Sequence, residues 1–289
     1  MIRTSVVPVA GLGTRLSPLT RAVPKELLPL GRKPVLQTVI EELGASGIEE
    51  VVLVTSARKQ ALFEAHFMAE NDGVDESVKM PVIHYAIQHE QLGLGHAVLC
   101  GEELVQQRPF VVALGDAMIG LADHASLCQR MIRVFEENDA DAVIAFQLVP
   151  RDKVSRYGIA ELAGTYQTDS EYFELAGLVE KPSVADAPSE FAIAARYICK
   201  PVLFELLRST EAGAGSEIQL TDALQRLIKS GGKVLGVPIT NRERRYDVGS
   251  FDSYFTAFIE AAVNDSECGD RVRRELAKAL ASDSSRFTE

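Results

Sequence analysis

The first 55 residues read as a β-strand, a glycine loop, a helix and a second β-strand, and few folds accommodate that order. The apolar runs at residues 3–10 and 50–55 are typical of buried strands. Between them, residues 34–45 have the pattern of a helix with a proline in its first turn. A strand, a helix and a strand in succession form a βαβ unit, so the sequence predicts an α/β fold.

The rest of the chain continues this alternation and then changes character. Further helices are predicted near residues 57–68, 95–105, 124–138, 200–208 and 218–230, with another from about Phe251. Further strands are predicted near residues 81–88, 109–114, 141–149, 157–162, 173–180, 191–199 and 233–238. We expect a Rossmann-like, mostly parallel central sheet flanked by helices, with an additional small β-rich portion formed by the shorter runs after residue 157. Residues 1–264 are expected to form a single domain, and residues 265–289 a charged helical tail.

The glycine loop after the first strand has the features of a polyphosphate site. Gly11 and Gly13 carry no Cβ, so a ligand can approach the backbone and successive amides can converge on phosphate oxygens. Arg15 then supplies a planar bidentate donor, and Lys25 a mobile point charge. The loop lacks the G-K-[ST] of a Walker A motif and the third glycine of a dinucleotide fingerprint. An ordinary tight turn has the same G-x-G spacing, so this loop by itself leaves both interpretations open.

Composition narrows the class of partner and the compartment. The formal net charge of −11 disfavours nucleic acid as a partner, because a general binder needs basic surface to neutralise phosphates. We expect no membrane association and no signal peptide, because the sequence has no long apolar stretch and its N-terminus lacks the required regions. The four cysteines are scattered, without C-x-x-C spacing, which favours reduced thiols in a cytoplasmic protein.

Several short motifs, read together with the glycine loop, occur in the order found in bacterial sugar-1-phosphate nucleotidylyltransferases. They lie at residues 88–97 (Q-H-E-Q-L-G-L-G-H-A), 114–116 (L-G-D), 177–182 (G-L-V-E-K-P), 217–222 (E-I-Q-L-T-D) and 246–249 (Y-D-V-G). The chain resembles this family over roughly residues 3 to 262, and most closely its members that use UTP and glucose-1-phosphate. The resemblance implies the nucleotide-diphospho-sugar transferase fold and the transfer of a uridylyl group to glucose-1-phosphate, giving UDP-glucose and pyrophosphate.

The resemblance also implies roles for particular residues. The catalytic set that it implies is Arg15, Lys25, Asp116 and Lys181. The nucleotide site that it implies is formed by Ala10, Gly11, Gly13, Thr14, Arg15, Lys25, Gln88 and Gly93. The sugar-phosphate site that it implies is formed by Gly158, Glu180 and Lys181. His96 lies close to this set in the sequence, and helix packing or capping is the role that we favour for it.

Two aspartates are candidate metal ligands. Asp116 follows a predicted strand, and the carboxyl ends of strands in open α/β sheets face the ligand crevice. Asp247 lies in the Y-D-V-G motif. Either residue could instead be a helix cap or a turn residue, as many loop aspartates are. The resemblance implies that both hold Mg²⁺, which prefers one or two carboxylates alongside substrate phosphates.

The sequence departs from the family pattern in three places. Gly115 stands where proline is usual, and we expect a looser backbone next to Asp116. Glu190 stands where many relatives carry asparagine near the sugar, which leaves the identity of the sugar open. The stretch between His66 and Gln88 is short, so the contacts of the expected homo-oligomer can differ from those of relatives. The alternatives that remain are the same chemistry with dTTP or another hexose-1-phosphate, and a non-catalytic regulatory relative.

Overall fold

The computed structural model describes residues 1–68, 79–120, 126–213, 216–240 and 243–283. The strands are β1 (Thr4–Pro8), β2 (Pro29–Leu30), β3 (Lys33–Pro34), β4 (Glu50–Thr55), β5 (Val82–Ile87), β6 (Phe110–Ala113), β7 (Ala117–Ile119), β8 (Ala142–Leu148), β9 (Gly158–Leu162), β10 (Phe173–Glu180), β11 (Phe191–Cys199), β12 (Val234–Pro238) and β13 (Arg245–Asp247). The helices are α1 (Val35–Ala45), α2 (Ala57–Met68), α3 (Leu94–Leu99), α4 (Glu102–Val105), α5 (Ser126–Glu137), α6 (Val202–Arg208), α7 (Leu220–Lys229), α8 (Phe251–Val263) and α9 (Gly269–Asp283).

The N-terminal part of the central sheet is parallel, in the order β5-β4-β1-β6. α1 connects β1 to β4 and α2 connects β4 towards β5, as parallel strands require a crossover. Val6 of β1 pairs with Val52 on one side and Val112 on the other. The carboxyl ends of β1 and β6 therefore lie at the same edge of the sheet, where the glycine loop and Asp116 follow.

The later strands join the same sheet and are mainly antiparallel. β11 lies antiparallel between β6 and β8, and the order then continues β8-β12-β10-β9. β9 also pairs with β11, at Ile159 and Ala192. The strands β11, β8, β12, β10 and β9 therefore form a closed ring of pairings. The pairing of β9 with β10 puts Gly158 directly opposite Glu180.

Alternate residues of the strands pack into two separate clusters, one on each face of the sheet. Val7 packs into a cluster with residues of α1 and α5, such as Leu36 and Met131. Val6 packs into the opposite cluster, with Val98 of α3 and Phe204 of α6. Helices therefore cover both faces, which explains why these strands are apolar at consecutive positions.

The predicted α/β fold class is confirmed, with a parallel N-terminal part and later strands that add antiparallel pairs. The predicted bounds of β4, α2, β10 and β11 agree with the structure, whereas the predicted helix at 95–105 divides into α3 and α4. Of the helix predicted at 124–138, residues 124 and 125 lie outside the described residues, as do residues 69–78 of the shortened stretch and residues 284–289 of the tail. The domain boundary at residue 264 stays a prediction. No helix in the described ranges is long and apolar enough to cross a bilayer.

The predictions did not include the shortest elements. β7 and β13 pair with each other outside the main sheet, and β2 and β3 form a small hairpin. Three 3₁₀ turns, at Thr14–Leu16, Leu19–Arg21 and Lys25–Leu27, lie between β1 and β2. Elements of two or three residues carry no periodicity, so the sequence could not indicate them.

Candidate functional site

The glycine loop follows β1 at the carboxyl edge of the sheet and folds back on itself. Ala10 is buried, whereas Gly11, Thr14 and Arg15 are exposed. Gly13 has a φ of 66°, which an L side chain rarely adopts, so glycine is needed at this position. Its carbonyl accepts a hydrogen bond of 2.8 Å from the hydroxyl of Thr20, and this bond closes the loop.

Lys25 and Asp116 form an ion pair where β1 and β6 end. Lys25 Nζ donates to Asp116 Oδ2, and the two side chains are 14% and 27% exposed. Burial alone would raise the pKa of Asp116, but the charge and hydrogen bond of Lys25 hold that pKa below its usual range. Burial would likewise lower the pKa of Lys25, but the charges of Asp116 and Glu26 raise it. Both groups are therefore ionised at neutral pH, and a cation and an anion lie in fixed contact.

Asp247 is adjacent to Asp116 because β13 pairs with β7. Asp247 is opposite Ala117 in this ladder, and the amide of Val248 donates to the carbonyl of Asp116 at 3.1 Å. Asp247 Oδ1 accepts a 2.6 Å hydrogen bond from the amide of Gly249, as a turn residue does. Asp247 is therefore a turn residue, as one of the two predictions from the sequence had it, and it also lies next to Asp116.

Arg15 reaches the same turn from the glycine loop. A Cβ built on Gly249 would lie 3.3 Å from Arg15 Nη2, so little space separates the guanidinium from this glycine. Arg15 also lies close enough to Lys25 that its charge opposes the rise in the pKa of Lys25. Arg15 and Lys25 therefore lie at the same edge of the sheet as Asp116 and Asp247.

Asp116 and Asp247 are the residues of this site that could hold a magnesium ion together with ligand phosphates. Each carboxylate has more acceptor positions than its hydrogen bonds use. Within the described residues, no group of three or more histidine, cysteine, aspartate or glutamate side chains could hold a metal by itself. Mg²⁺ commonly takes one or two protein carboxylates and completes its shell with water and phosphate oxygens, so Asp116 and Asp247 together could hold it.

Gln88 and Gly93 lie together at the end of β5. Gln88 is 4% exposed, and its amide nitrogen lies 3.2 Å from the carbonyl oxygen of Gly93 and 3.0 Å from Nδ1 of His96. His96 therefore holds the amide of Gln88, a more specific contact than the packing or capping predicted from the sequence. Gly93 has a φ of 99°, and a Cβ there would lie 2.8 Å from Cβ of Glu217.

The E-I-Q-L-T-D motif, residues 217–222, forms hydrogen bonds with the loop that contains Gly93. The amide of Ile218 donates to the carbonyl of Leu92 at 2.7 Å, and the amide of Gly95 donates to the carbonyl of Ile218 at 2.8 Å. Residues 217–222 entered the sequence analysis only as part of the family resemblance, without a role. The structure shows that they hold the loop that contains Gly93.

Glu180, Lys181 and Gly158 lie together where β10 ends and β9 begins. Glu180 Oε2 accepts a 2.8 Å hydrogen bond from Thr221, and Glu180 Oε1 lies 3.1 Å from Lys181 Nζ. Lys181 has a φ of 46°, and its side chain is 53% exposed. A Cβ on Gly158 would lie 3.1 Å from Glu180 Oε2, so a larger residue here would push this carboxylate from its position by a few tenths of an ångström.

Arg245 connects the Glu180–Lys181 group to the aspartates. Its Nη2 lies 3.5 Å from Asp247 Oδ2, and its guanidinium lies 5.3 Å from the ring centroid of Tyr157. The carbonyl of Tyr157 accepts a 3.0 Å hydrogen bond from the amide of Lys181. Lys181 is thus connected to Asp247 through Tyr157 and Arg245.

Sequence reasoning missed several residues that support this site. Arg196 is fully buried, forms hydrogen bonds of 2.9 and 2.6 Å with Glu42 on α1, and donates to the carbonyl of Ala117 at 3.0 Å. A single charge inside the apolar run of β11 was the available signal. Lys59 lies on α2 outside every motif, and Thr221 lies in the E-I-Q-L-T-D motif, to which sequence reasoning assigned no role.

The departures from the family pattern have definite places in the structure. A Cβ on Gly115 would lie 2.5 Å from Cγ1 of Val9, so Val9 occupies the space next to this glycine. Glu190 is exposed just before β11, and its carbonyl accepts a 3.0 Å hydrogen bond from the amide of Val149.

Comparison with known proteins gives one consistent family. A family model described as nucleotidyl transferase matches residues 4–263. The UTP–glucose-1-phosphate uridylyltransferase of Haemophilus ducreyi is 37% identical over 95% of this chain and 99% of its own length. A UDP-glucose pyrophosphorylase solved in complex with UDP-glucose is 33% identical, with a TM-score of 0.79 over 89% of this chain and 97% of that one. A UTP-bound UGPase from Acinetobacter baumannii is 29% identical, with a TM-score of 0.80 over 96% of this chain and 99% of that one.

Proposed function

The chain belongs to the nucleotidyl transferase family, and on this basis we propose that it transfers a uridylyl group from UTP to glucose-1-phosphate, giving UDP-glucose and pyrophosphate. The observation that carries the proposal is the contact of Lys25 with Asp116 beside Asp247, with Lys181 connected to them through Arg245 and Tyr157. The similarity to a UTP-bound structure and to a UDP-glucose complex supports the choice of substrates.

The reaction is an attack by a phosphate oxygen of glucose-1-phosphate on the α-phosphorus of UTP, with pyrophosphate as the leaving group. The attacking oxygen is already anionic at neutral pH, so the protein has to position the reactants and reduce their repulsion. Two unit charges 4 Å apart repel by about 1 kcal/mol in water, and several-fold more at lower dielectric. We assign Arg15 and Lys25 to the triphosphate and Lys181 to the sugar phosphate, because each carries positive charge to the site.

We propose Mg²⁺ as the cofactor, held by Asp116 and Asp247. When bound, the ion supplies charge neutralisation for the phosphates and a template for their orientation. Asp116 is suited to this role because its lowered pKa keeps it ionised. Lys25, which contacts Asp116, stays beside the position where the phosphates would lie.

Recognition of the base is assigned to Gln88 and Gly93. The side-chain nitrogen of Gln88 is held by the carbonyl of Gly93 and by His96, which leaves its side-chain oxygen to accept from the N–H on the edge of uracil. Gly93 lets a backbone group approach the base closely. Ala10, Gly11, Gly13 and Thr14 complete the proposed nucleotide site through the backbone of the glycine loop.

Recognition of the sugar is assigned to Glu180, with Gly158 beneath it. A carboxylate is an acceptor for two sugar hydroxyls, and Thr221 keeps Glu180 in one orientation through a 2.8 Å hydrogen bond. We further propose that the protein is a cytoplasmic homo-oligomer. The exposed apolar side chains of Phe255, Phe258 and Ile259 on α8 support self-association.

The deciding experiment measures pyrophosphate release from UTP and glucose-1-phosphate, with and without Mg²⁺. Parallel reactions replace UTP with dTTP, or glucose-1-phosphate with galactose-1-phosphate. We expect magnesium-dependent release that is fastest with UTP and glucose-1-phosphate. Faster release with another pair would replace the substrates proposed here, and no release with any pair would favour a non-catalytic regulatory relative.

A further inference from the structure

We propose that Lys59 is a positioning residue for nucleotide binding, which fixes the shape of the glycine loop without contacting the nucleotide itself. The inference rests on the proposed function, because it takes residues 9–15 as the loop that holds the triphosphate. Lys59 lies in the first turn of α2, outside every motif that the sequence analysis identified.

The ammonium group of Lys59 has three donors, and the structure gives each of them an acceptor. Nζ lies 3.0 Å from the carbonyl oxygen of Val9 and 3.1 Å from Glu26 Oε2, and it also donates to the carbonyl of Gly11. The side chains of Lys59 and Glu26 are 12% and 2% exposed. A cation that is enclosed and fully used in this way is not available to a phosphate, in contrast to the exposed Arg15.

The two carbonyls determine where the amides of the loop point. In a trans peptide, the carbonyl and the following N–H lie in one plane and point in opposite directions. Lys59 draws the carbonyls of Val9 and Gly11 towards α2, so the amides of Ala10 and Leu12 point away from it. Aligned amides of this kind form a concave anion site, which is what the triphosphate requires.

A second contact from the same helix turn holds the other end of the segment. Arg58 Nη2 donates to the carbonyl of Arg21 at 2.9 Å. The start of α2 therefore fixes the segment near Gly11 and again near Arg21, and Arg15 lies between these two points. We infer that this arrangement organises the loop in advance, which lowers the ordering cost of binding.

The primary test is Lys59→Met, which keeps the aliphatic stem and removes the ammonium group. We expect the KM for UTP to rise about 10- to 100-fold, because a small displacement of a binding loop has effects of this size. The KM for glucose-1-phosphate should stay near that of the wild type, since Lys59 contacts no residue of the proposed sugar site. A purely structural role for Lys59 would affect both substrates alike.

Two further variants separate loop geometry from stability. Lys59→Met removes the direct ion-pair partner of the buried Glu26 and leaves only the nearby charge of Lys25 to offset it, which by itself destabilises the protein. The double variant Lys59→Met, Glu26→Gln removes that unpaired charge, so we expect its Tm to recover towards the wild type while the KM for UTP stays high. Lys33→Met is the matched control, because it breaks a 2.8 Å ion pair with the buried Glu41 and touches no loop carbonyl. It should leave the KM for UTP unchanged.

The outcomes distinguish this inference from the proposed function. If the wild type turns over UTP and glucose-1-phosphate but Lys59→Met binds UTP as well as Lys33→Met does, the positioning role is wrong and the function stands. Recovery of both the Tm and the KM for UTP in the double variant would equally overturn the positioning role. If the wild type neither turns over nor binds UTP, measured by calorimetry, the proposed function fails first.

Discussion

The amide of Val248 donates to the carbonyl of Asp116 at 3.1 Å, and this bond places two aspartates from distant parts of the chain side by side. β13 pairs with β7 over only three residues, so the separation of Asp116 and Asp247 depends on a short ladder. Arg196 supports the ladder from the core, through its hydrogen bond to the carbonyl of Ala117. The geometry of the proposed metal site is thus set by the backbone.

Asp116→Asn should reduce kcat about 100-fold or more and leave the fold intact. The substitution keeps the shape of the side chain but removes the charge that we assign to Mg²⁺ and that Lys25 neutralises. Steady-state kinetics over a range of Mg²⁺ concentrations measure the effect, with circular dichroism as the check on folding. Asp139→Asn, at a side chain 93% exposed, is the control. Unchanged magnesium-dependent activity in Asp116→Asn would refute the metal role.

The same pair predicts how stability depends on pH. The pKa of Asp116 is lowered in the folded protein, so its contribution to stability is present above the unfolded value of about 3.9 and is lost as the pH falls through the folded pKa. The difference in free energy of unfolding between the wild type and Asp116→Asn should therefore narrow below about pH 3.9. Urea titrations at pH 7 and at decreasing pH measure this difference. A gap that stays constant with pH would show that Asp116 contributes no such charge interaction.

Lys181→Ala should raise the KM for glucose-1-phosphate about 10- to 100-fold, the value of a hydrogen bond to a charged group. The side chain is half exposed and pairs with Glu180, so its removal should not disturb the core. The KM for UTP should change little. Lys229→Ala, on the exposed end of α7, is the matched control. If UTP binding weakened instead, the assignment of Lys25 and Lys181 to separate substrates would be wrong.

Gly158→Ala should weaken sugar binding by displacing Glu180. The new Cβ would lie 2.7 Å from Ile193 Cδ1 and 3.1 Å from Glu180 Oε2, so at least one of them must move. We expect the KM for glucose-1-phosphate to rise about tenfold, in line with a packing strain of about 1–3 kcal/mol. Gly164→Ala is the control, because a Cβ there meets nothing within 4 Å. Equal kinetics for the two variants would contradict the role given to Gly158.

Gly115→Ala should lower the free energy of unfolding by about 1–3 kcal/mol, because its Cβ would lie 2.5 Å from Val9 Cγ1. Removing the clash with Val9→Ala should recover part of that loss, which a double-mutant cycle from urea titrations measures as a favourable coupling. Additive effects of the two substitutions would mean that Val9 does not set the requirement for glycine next to Asp116.

The sequence predicted the main elements well because they are long and strongly patterned. β4, α2, β10 and β11 have apolar runs or helical periods that neighbouring contacts do not override. The sequence also indicated Lys25 and Asp116, each through a local motif. Their contact in the structure follows from the parallel order of β1 and β6, which brings both loops to one edge.

The supporting contacts were beyond the reach of sequence reasoning. Lys59 contacts Val9 and Glu26 only after α2 packs against the glycine loop, and no spacing in the chain records that contact. His96 holds Gln88 for a similar reason, through a tertiary hydrogen bond between side chains eight positions apart on different elements. The supporting role of such residues can be recognised only from a structure, by identifying the hydrogen-bond partners of each buried polar group.

Among the residues that the structure describes, the nine strands of the large sheet all precede residue 239, whereas β13, which carries Asp247, follows it. As the chain leaves the ribosome, every strand of this sheet therefore emerges before Asp247, and α8 and α9 emerge after it. A nascent chain at that stage already contains Lys25, Asp116 and Lys181 but has not yet gained Asp247. If Asp247 holds the metal as proposed, the chain gains the capacity for turnover only after all strands of the large sheet have been synthesised.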